Sequence, residues 1–161
     1  MKTRLLLLFS VSVLLFACTE GEDRESPMWG IDFSEVASSG FAIGSVDKQN
    51  DGSKITYIAK AANVQHVKDD VYLLTYAFQS GDQLQLTITK KTADYNYHFP
   101  GTATENQIIV AMFNGETLDL KDSDLSIQPR TEENKLYTVT NLHTTTAGDF
   151  NGTIGRVPLL E

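Results

Sequence analysis

The chain has 161 residues, of which 13 are basic and 21 acidic, so its net charge is −8 at neutral pH, and it contains one cysteine. Such an excess of negative charge repels phosphate backbones and anionic headgroups, which argues against a nucleic-acid partner and against electrostatic docking to a membrane. A single cysteine excludes a disulfide within the chain, so burial of apolar side chains has to stabilise the fold.

The N-terminal segment has the pattern of a lipoprotein signal peptide. Lys2 and Arg4 precede an apolar run over residues 5–16, which is too short to span a bilayer core of roughly 30 Å. The run ends in Leu15-Phe16-Ala17-Cys18, where a small residue precedes the only cysteine, as in a lipobox. We predict cleavage after Ala17 and acylation of the Cys18 sulfur. Loss of Lys2 and Arg4 with the leader then gives the mature protein a net charge of −10. The alternative is ordinary secretion, which leaves the thiol free.

This interpretation divides the chain into three parts. Residues 1–17 are predicted to be the signal peptide. Residues 18–28 are predicted to be the lipidated cysteine and an acidic, flexible tether, because TEGEDRESP is polar and lacks apolar periodicity. Residues 29–161 are predicted to form a single β domain, with at most one helical turn, at Asp32–Ala37.

From residue 40 onward apolar residues recur with a period of two, which predicts β-strands. The clearest pair is Val71–Gln79 and Gln83–Lys90, which Ser80-Gly81-Asp82 joins at hairpin length. Their predicted core-facing residues are Tyr72, Leu74, Tyr76 and Phe78 on the first strand and Leu84, Leu86 and Ile88 on the second. The other predicted strands are Phe41–Val46, Lys54–Ala61, Gln107–Phe113, Asp124–Gln128, Lys135–Leu142 and Phe150–Val157.

About eight short strands without a clear helix predict an all-β fold. We expect a single antiparallel β-sandwich, Ig-like or meander, with a small β-barrel as the alternative. Gln107–Phe113 is apolar on both faces, which predicts a central strand covered on both sides.

Residues that could carry chemistry form no recognisable constellation. His66, His98 and His143 lack the spacing of metal ligands, so we expect no metal and no cofactor. Asp47–Gly52 resembles the start of a calcium loop, but Ile58 occupies the position that needs a glutamate, so we interpret the segment as a hairpin turn. No nucleophile motif is present, and we predict no catalytic residue and no enzymatic activity. A pair of carboxylates buried together by the fold would instead favour a hydrolase.

Aromatic residues are the candidates for ligand binding. Tyr95 and Tyr97 alternate with polar residues before Pro100-Gly101, and Trp29 is the only tryptophan. Exposed rings on a strand face could stack on sugar rings, whereas the same alternation is also typical of a strand facing a core. Trp29-Gly30 does not match the G-x-W opening of a lipocalin, which argues against a ligand-filled barrel.

The lipobox, the acidic tether and the segment Gly148–Ile154 together resemble the small uncharacterised all-β lipoproteins of Bacteroidota. The acids that follow Cys18 are similar to the signal that directs such lipoproteins to the cell surface. In the C-terminal segment Phe150, Gly152 and Ile154 share one face, and Gly152 permits close approach of a neighbouring strand. The resemblance implies a lipid-anchored β domain and supplies no catalytic residue.

These observations predict a lipoprotein anchored in the outer membrane through Cys18, with the cell surface favoured over the periplasmic face. We expect a non-enzymatic binding or interaction module whose partner is a glycan or an envelope protein. The alternatives are a structural or accessory subunit of an envelope complex and, more distantly, a hydrolase. Tyr95, Tyr97 and Trp29 are the predicted ligand contacts.

Overall fold

A computed structural model describes residues 25–26, 31–32, 42–130 and 135–160. The chain divides into two units, residues 1–33 and residues 34–161. In the first unit, β1 (Glu25–Ser26), which falls in the predicted tether, pairs antiparallel with β2 (Ile31–Asp32). Cys18, Trp29 and most of the predicted helical turn lie outside the described residues.

The described part of the second unit is made of strands. They are β3 (Ile43–Asn50), β4 (Ser53–Lys68), β5 (Val71–Phe78), β6 (Gln83–Thr89), β7 (Asn96–Phe99), β8 (Gln107–Phe113), β9 (Glu116–Thr117), β10 (Leu120–Pro129), β11 (Lys135–Thr144) and β12 (Asp149–Leu160). Each of the eight strands predicted from the period of two is present, and the segment around Tyr97 forms the additional strand β7. The described residues contain no helix with the length and apolarity needed to cross a bilayer.

The strands close into a nine-stranded barrel. Their order is β6-β5-β4-β3-β12-β11-β10-β7-β8, and β8 pairs back onto β6 from Leu84 opposite Phe113 to Thr89 opposite Gln107. The all-β class is therefore confirmed, and the architecture is the predicted barrel alternative, not the sandwich. Closure satisfies the backbone donors and acceptors that a sandwich would leave on its edge strands.

Alternate side chains of the strands point into the barrel, as the alternation predicts. Leu74, Tyr76 and Phe78 of β5 are buried, and so are Leu84, Leu86 and Ile88 of β6. The expectation that β8 is covered on both faces is wrong, because Ile109 is 46% exposed. A register shift opposite Thr87 and Ile88 makes Ile109 the extra residue of a β-bulge. Its apolar side chain therefore points away from the core.

Two local predictions about the backbone are confirmed. Asp51 and Gly52 both have positive φ and join β3 to β4 in a two-residue turn, so the calcium-like segment is a hairpin. Gly152 lies against β3 so closely that a Cβ there would come within 2.1 Å of the Ser45 carbonyl oxygen. Only glycine fits at that position of β12.

Candidate functional site

One end of the barrel contains a cavity of about 200 Å³. We call it the open end. Seven strands reach it, because β4, β6, β10 and β12 finish there while β5, β7 and β11 begin there. The lining residues are Val64, Tyr72, Ile88, Lys90, Tyr95, Tyr97, Ile127, Pro129, Leu136 and Leu159. Most of these side chains are aliphatic or aromatic, so the wall of the cavity is mainly apolar.

The opposite end is filled by four aromatic side chains, Tyr57, Phe78, Phe113 and Phe150, and we call it the aromatic end. The ring centroid of Tyr57 lies 5.3 Å from that of Phe78 and also 5.3 Å from that of Phe113. The ring centroids of Phe113 and Phe150 are 5.1 Å apart. The Nζ atom of Lys48 lies 5.3 Å from the centroids of both Phe113 and Phe150. These tilted and edge contacts are the geometry in which aromatic rings pack favourably.

A hydrogen-bonded tyrosine lies between the two ends. Tyr76 follows Tyr72 of the open end and precedes Phe78 of the aromatic end on β5. Its hydroxyl donates to Oγ1 of Thr138 at 2.7 Å and lies 3.0 Å from Oγ1 of Thr140, both on β11 across the barrel. Burial raises the pKa of Tyr76 to about 12, even though both threonines lower it. This contact ties opposite walls of the barrel together.

Two polar groups are placed at the cavity of the open end. Tyr97 is only 4% exposed, yet no described residue hydrogen-bonds its hydroxyl. Burial, with a smaller effect of neighbouring Tyr72, raises its pKa to about 12, so the hydroxyl is a neutral donor at physiological pH. Lys90 is exposed at the rim, where its Nζ atom lies 5.8 Å from the ring centroid of Tyr95. The cavity thus combines apolar walls with a hydroxyl and an ammonium group.

The structure places two of the three predicted ligand contacts in this cavity. Tyr95 is 46% exposed at the rim and Tyr97 is buried, so the two rings do not form one exposed surface. Trp29 lies outside the described residues. Tyr72 and Leu136 also line the cavity. The sequence predicted Tyr72 to face the core and placed Leu136 on a strand, but a residue that faces a cavity and one that faces a filled core share the same alternation. The lack of a G-x-W opening at Trp29-Gly30 predicted a barrel without a ligand cavity, whereas the structure contains a cavity at the open end.

The three histidines are held by separate partners. Nε2 of His66 lies 2.8 Å from the carbonyl oxygen of Asp69. Nδ1 of His98 lies 2.5 Å from a carboxylate oxygen of Asp124, and Nδ1 of His143 lies 3.1 Å from one of Asp149. Among the described residues no three histidine, cysteine or acidic side chains are grouped so as to hold a metal ion.

A second, more polar cavity of about 160 Å³ lies beside β7 and brings Asp94 and Glu105 to one place. Both carboxylates belong to exposed residues, and Glu105 accepts a hydrogen bond of 2.9 Å from the Thr102 hydroxyl. The buried side chain here is Asn106, whose Oδ1 accepts from the backbone of Lys91 and Thr92 at 2.7 and 2.9 Å. These contacts order the β6–β7 connection, so the cavity has a structural explanation.

Comparison with protein-family models, with curated proteins and with solved structures finds no match to this chain.

Proposed function

We propose that this protein is a non-enzymatic, lipid-anchored binding module of the bacterial outer membrane, and that it takes a small apolar ligand into the open end of its barrel. The observation that carries the proposal is the apolar cavity of about 200 Å³ into which the hydroxyl of buried Tyr97 presents an unused hydrogen bond. This hydroxyl is accessible from the cavity, so a ligand acceptor can take the hydrogen bond that the described residues leave open.

The size and chemistry of the cavity define a class of ligand. Apolar cavities of roughly 150 Å³ already bind a single aromatic ring, so this cavity suits one or two rings or a short acyl segment. Tyr97 offers a neutral donor and Lys90 a positive charge at the rim. A ligand with an apolar body and one carboxylate satisfies both groups. A sugar ligand is less favoured, since Tyr95 and Tyr97 do not form an exposed stacking surface.

Binding is tested by calorimetric titration of the full chain, purified in a nonionic detergent, with 2-naphthoate. Leu136→Trp fills the cavity, whereas Val139→Trp places the same side chain on the same strand at an outward, 38% exposed position. We expect the first variant to lose at least about tenfold in affinity and the second to match the unmodified chain. Because both variants are titrated in the same detergent, partition of 2-naphthoate into micelles affects the two measurements equally.

A further variant tests whether the Tyr97 hydroxyl contacts the carboxylate of the ligand. Tyr97→Phe keeps the ring and removes the hydroxyl, so it is expected to weaken 2-naphthoate about tenfold and to leave neutral naphthalene unchanged. If 2-naphthoate, naphthalene and hexanoate all fail to bind the unmodified chain, or if Leu136→Trp binds as well as Val139→Trp, the open end is not the ligand site.

The proposed anchor rests on Leu15-Phe16-Ala17-Cys18 and the acidic residues that follow. A diacylglyceryl group on Cys18 holds the protein in the membrane, since each buried methylene contributes about 0.8 kcal/mol. Cys18→Ser is expected to move the protein from the membrane pellet to the soluble fraction of a cell lysate. Protease added to intact cells should degrade the unmodified protein if it faces the exterior. A Cys18→Ser protein that stays in the pellet would show that another segment provides attachment.

A further inference from the structure

A second tyrosine lines the cavity of the open end. Tyr72 of β5 lines this cavity together with Tyr97 of β7, and its ring packs partly buried against the core. No described residue hydrogen-bonds the Tyr72 hydroxyl, and its oxygen is not fully buried, so the hydroxyl is accessible. The cavity therefore holds two phenol groups whose hydrogen bonds the described residues leave open.

The two tyrosines lie at the same depth below the rim. Lys90 follows β6 and Tyr95 precedes β7, and both lie at the rim of the cavity. Tyr72 is paired with Ile88, which comes two residues before Lys90. Tyr97 comes two residues after Tyr95 and is buried. Because side chains alternate along a strand, two residues correspond to one inward-facing layer. Tyr72 and Tyr97 therefore belong to the first layer inside the rim, on strands that do not pair with each other.

The surroundings of Tyr72 orient its ring and couple its hydroxyl to that of Tyr97. The ring centroids of Tyr72 and His66 are 5.1 Å apart, with an angle of 45° between the planes. Nε2 of His66 donates a hydrogen bond of 2.8 Å to the carbonyl oxygen of Asp69, which holds the imidazole against the Tyr72 ring. Burial is the largest cause of the raised pKa of Tyr97, and the interaction with the charge of Tyr72 is the second. Such an interaction requires the two hydroxyls to lie near each other.

We propose that Tyr72 and Tyr97 together bind the carboxylate of the ligand, one hydroxyl to each of its oxygens, so that the open end selects carboxylic acids. This role of Tyr72 rests on the proposed function, in which the open end is the ligand site. A carboxylate has two accepting oxygens, and a hydroxyl bonds more strongly to an ionised oxygen than to a neutral one. Val64, Ile88 and Ile127 of the lining surround the apolar body of the ligand.

Calorimetric titration of the full chain with 2-naphthoate and with naphthalene tests the role of Tyr72. Tyr72→Phe keeps the ring against His66 and removes only the hydroxyl, so we expect 2-naphthoate to bind about tenfold more weakly and naphthalene to bind as before. Tyr57→Phe removes the same group at the aromatic end, outside the cavity, and is expected to leave both affinities unchanged. Equal losses for both probes in Tyr72→Phe would make Tyr72 a structural part of the cavity wall and overturn the proposal.

The neutral analogue 2-naphthamide measures the selectivity, because it has the shape of 2-naphthoate but a single acceptor oxygen and no charge. The unmodified chain is expected to bind 2-naphthoate at least about tenfold more tightly than 2-naphthamide, and the double variant Tyr72→Phe/Tyr97→Phe to lose most of this preference. If 2-naphthoate, naphthalene and hexanoate all fail to bind the unmodified chain, the ligand site is rejected and this proposal with it. If Tyr97→Phe weakens 2-naphthoate but Tyr72→Phe binds it as tightly as Tyr57→Phe does, the ligand site stands and the role of Tyr72 is overturned.

Discussion

The two ends of this barrel share strands β4, β5 and β12 and the same alternation, yet one end is filled and the other is hollow. At the aromatic end Tyr57, Phe78, Phe113 and Phe150 meet ring to ring, with Lys48 over two of them. At the open end the lining is mostly aliphatic and leaves about 200 Å³. The difference teaches that alternation decides which side chains enter the barrel, whereas their volumes decide whether they fill it.

The largest expected effect contrasts one residue from each end. Phe150 is fully buried and packed against Phe113, so Phe150→Ala should lower the free energy of unfolding by about 3–5 kcal/mol. Leu136 is only partly buried and faces the cavity, so Leu136→Ala should cost no more than about 2 kcal/mol. Urea unfolding of both variants measures the difference. Equal losses would mean that the two ends are packed alike.

Alkaline pH provides the next comparison. The pKa values of Tyr76 and Tyr97 are raised from 10.0 to about 12, mainly by burial. The unfolded chain releases these protons near pH 10 and the folded chain retains them, so stability present below pH 10 is lost as the pH rises towards 12. Each tyrosine should account for a loss of about 2 kcal/mol.

The open cavity makes a further distinction between these tyrosines measurable. We expect Tyr97 to ionise while the barrel is folded, and Tyr76 to ionise only on unfolding, because Tyr76 is fully buried between the ends. Tyrosinate absorbance and unfolding are followed together in Tyr97→Phe and Tyr76→Phe. Ionisation of both tyrosines only at the unfolding transition would contradict this view of the open end.

Removal of the hydroxyl that joins the walls has a smaller effect. Tyr76→Phe loses the hydrogen bond to Thr138 and the contact with Thr140, while Thr138 keeps its bond of 3.2 Å to the Ile154 carbonyl oxygen. We expect the free energy of unfolding to fall by about 1–2 kcal/mol. Thr140→Val in the Tyr76→Phe background should restore part of the loss, since it removes a hydroxyl left without Tyr76. An unchanged free energy of unfolding in Tyr76→Phe would show that the hydrogen bond of Tyr76 does not contribute to stability.

The smallest expected effect concerns the cation at the aromatic end. Lys48→Met keeps a flexible apolar chain over Phe113 and Phe150 but removes the charge, so the free energy of unfolding should fall by about 0.5–1 kcal/mol. Ile109→Thr, at an exposed bulge position, serves as the reference and should stay within about 0.5 kcal/mol. The measurement is again urea unfolding. If Lys48→Met is as stable as Ile109→Thr, the cation–π contact of Lys48 does not contribute to stability.

Local sequence pattern predicted the strands better than it predicted their arrangement. The Val71–Gln79 and Gln83–Lys90 hairpin and the close approach at Gly152 were predicted from a few neighbouring residues each, and both are present. The expectation that β8 is covered on both faces was wrong at Ile109, since a single extra residue in β8 reverses which face a side chain occupies. Sequence reasoning singled out Tyr95 and Tyr97, and the structure brings them to one cavity with Tyr72 and Leu136 from two other strands.

By itself, the sequence determined the all-β class, the inward face of most strands and the hairpin turns, because a period of two and the conformations of glycine and aspartate are local properties. Tertiary structure alone decided that the sheet closes. The β6–β8 pairing joins residues that are distant in sequence, and a sandwich and a barrel share the same alternation. It also decided the cavity of the open end, since the lining of that cavity depends on how side chains of non-consecutive strands meet in space.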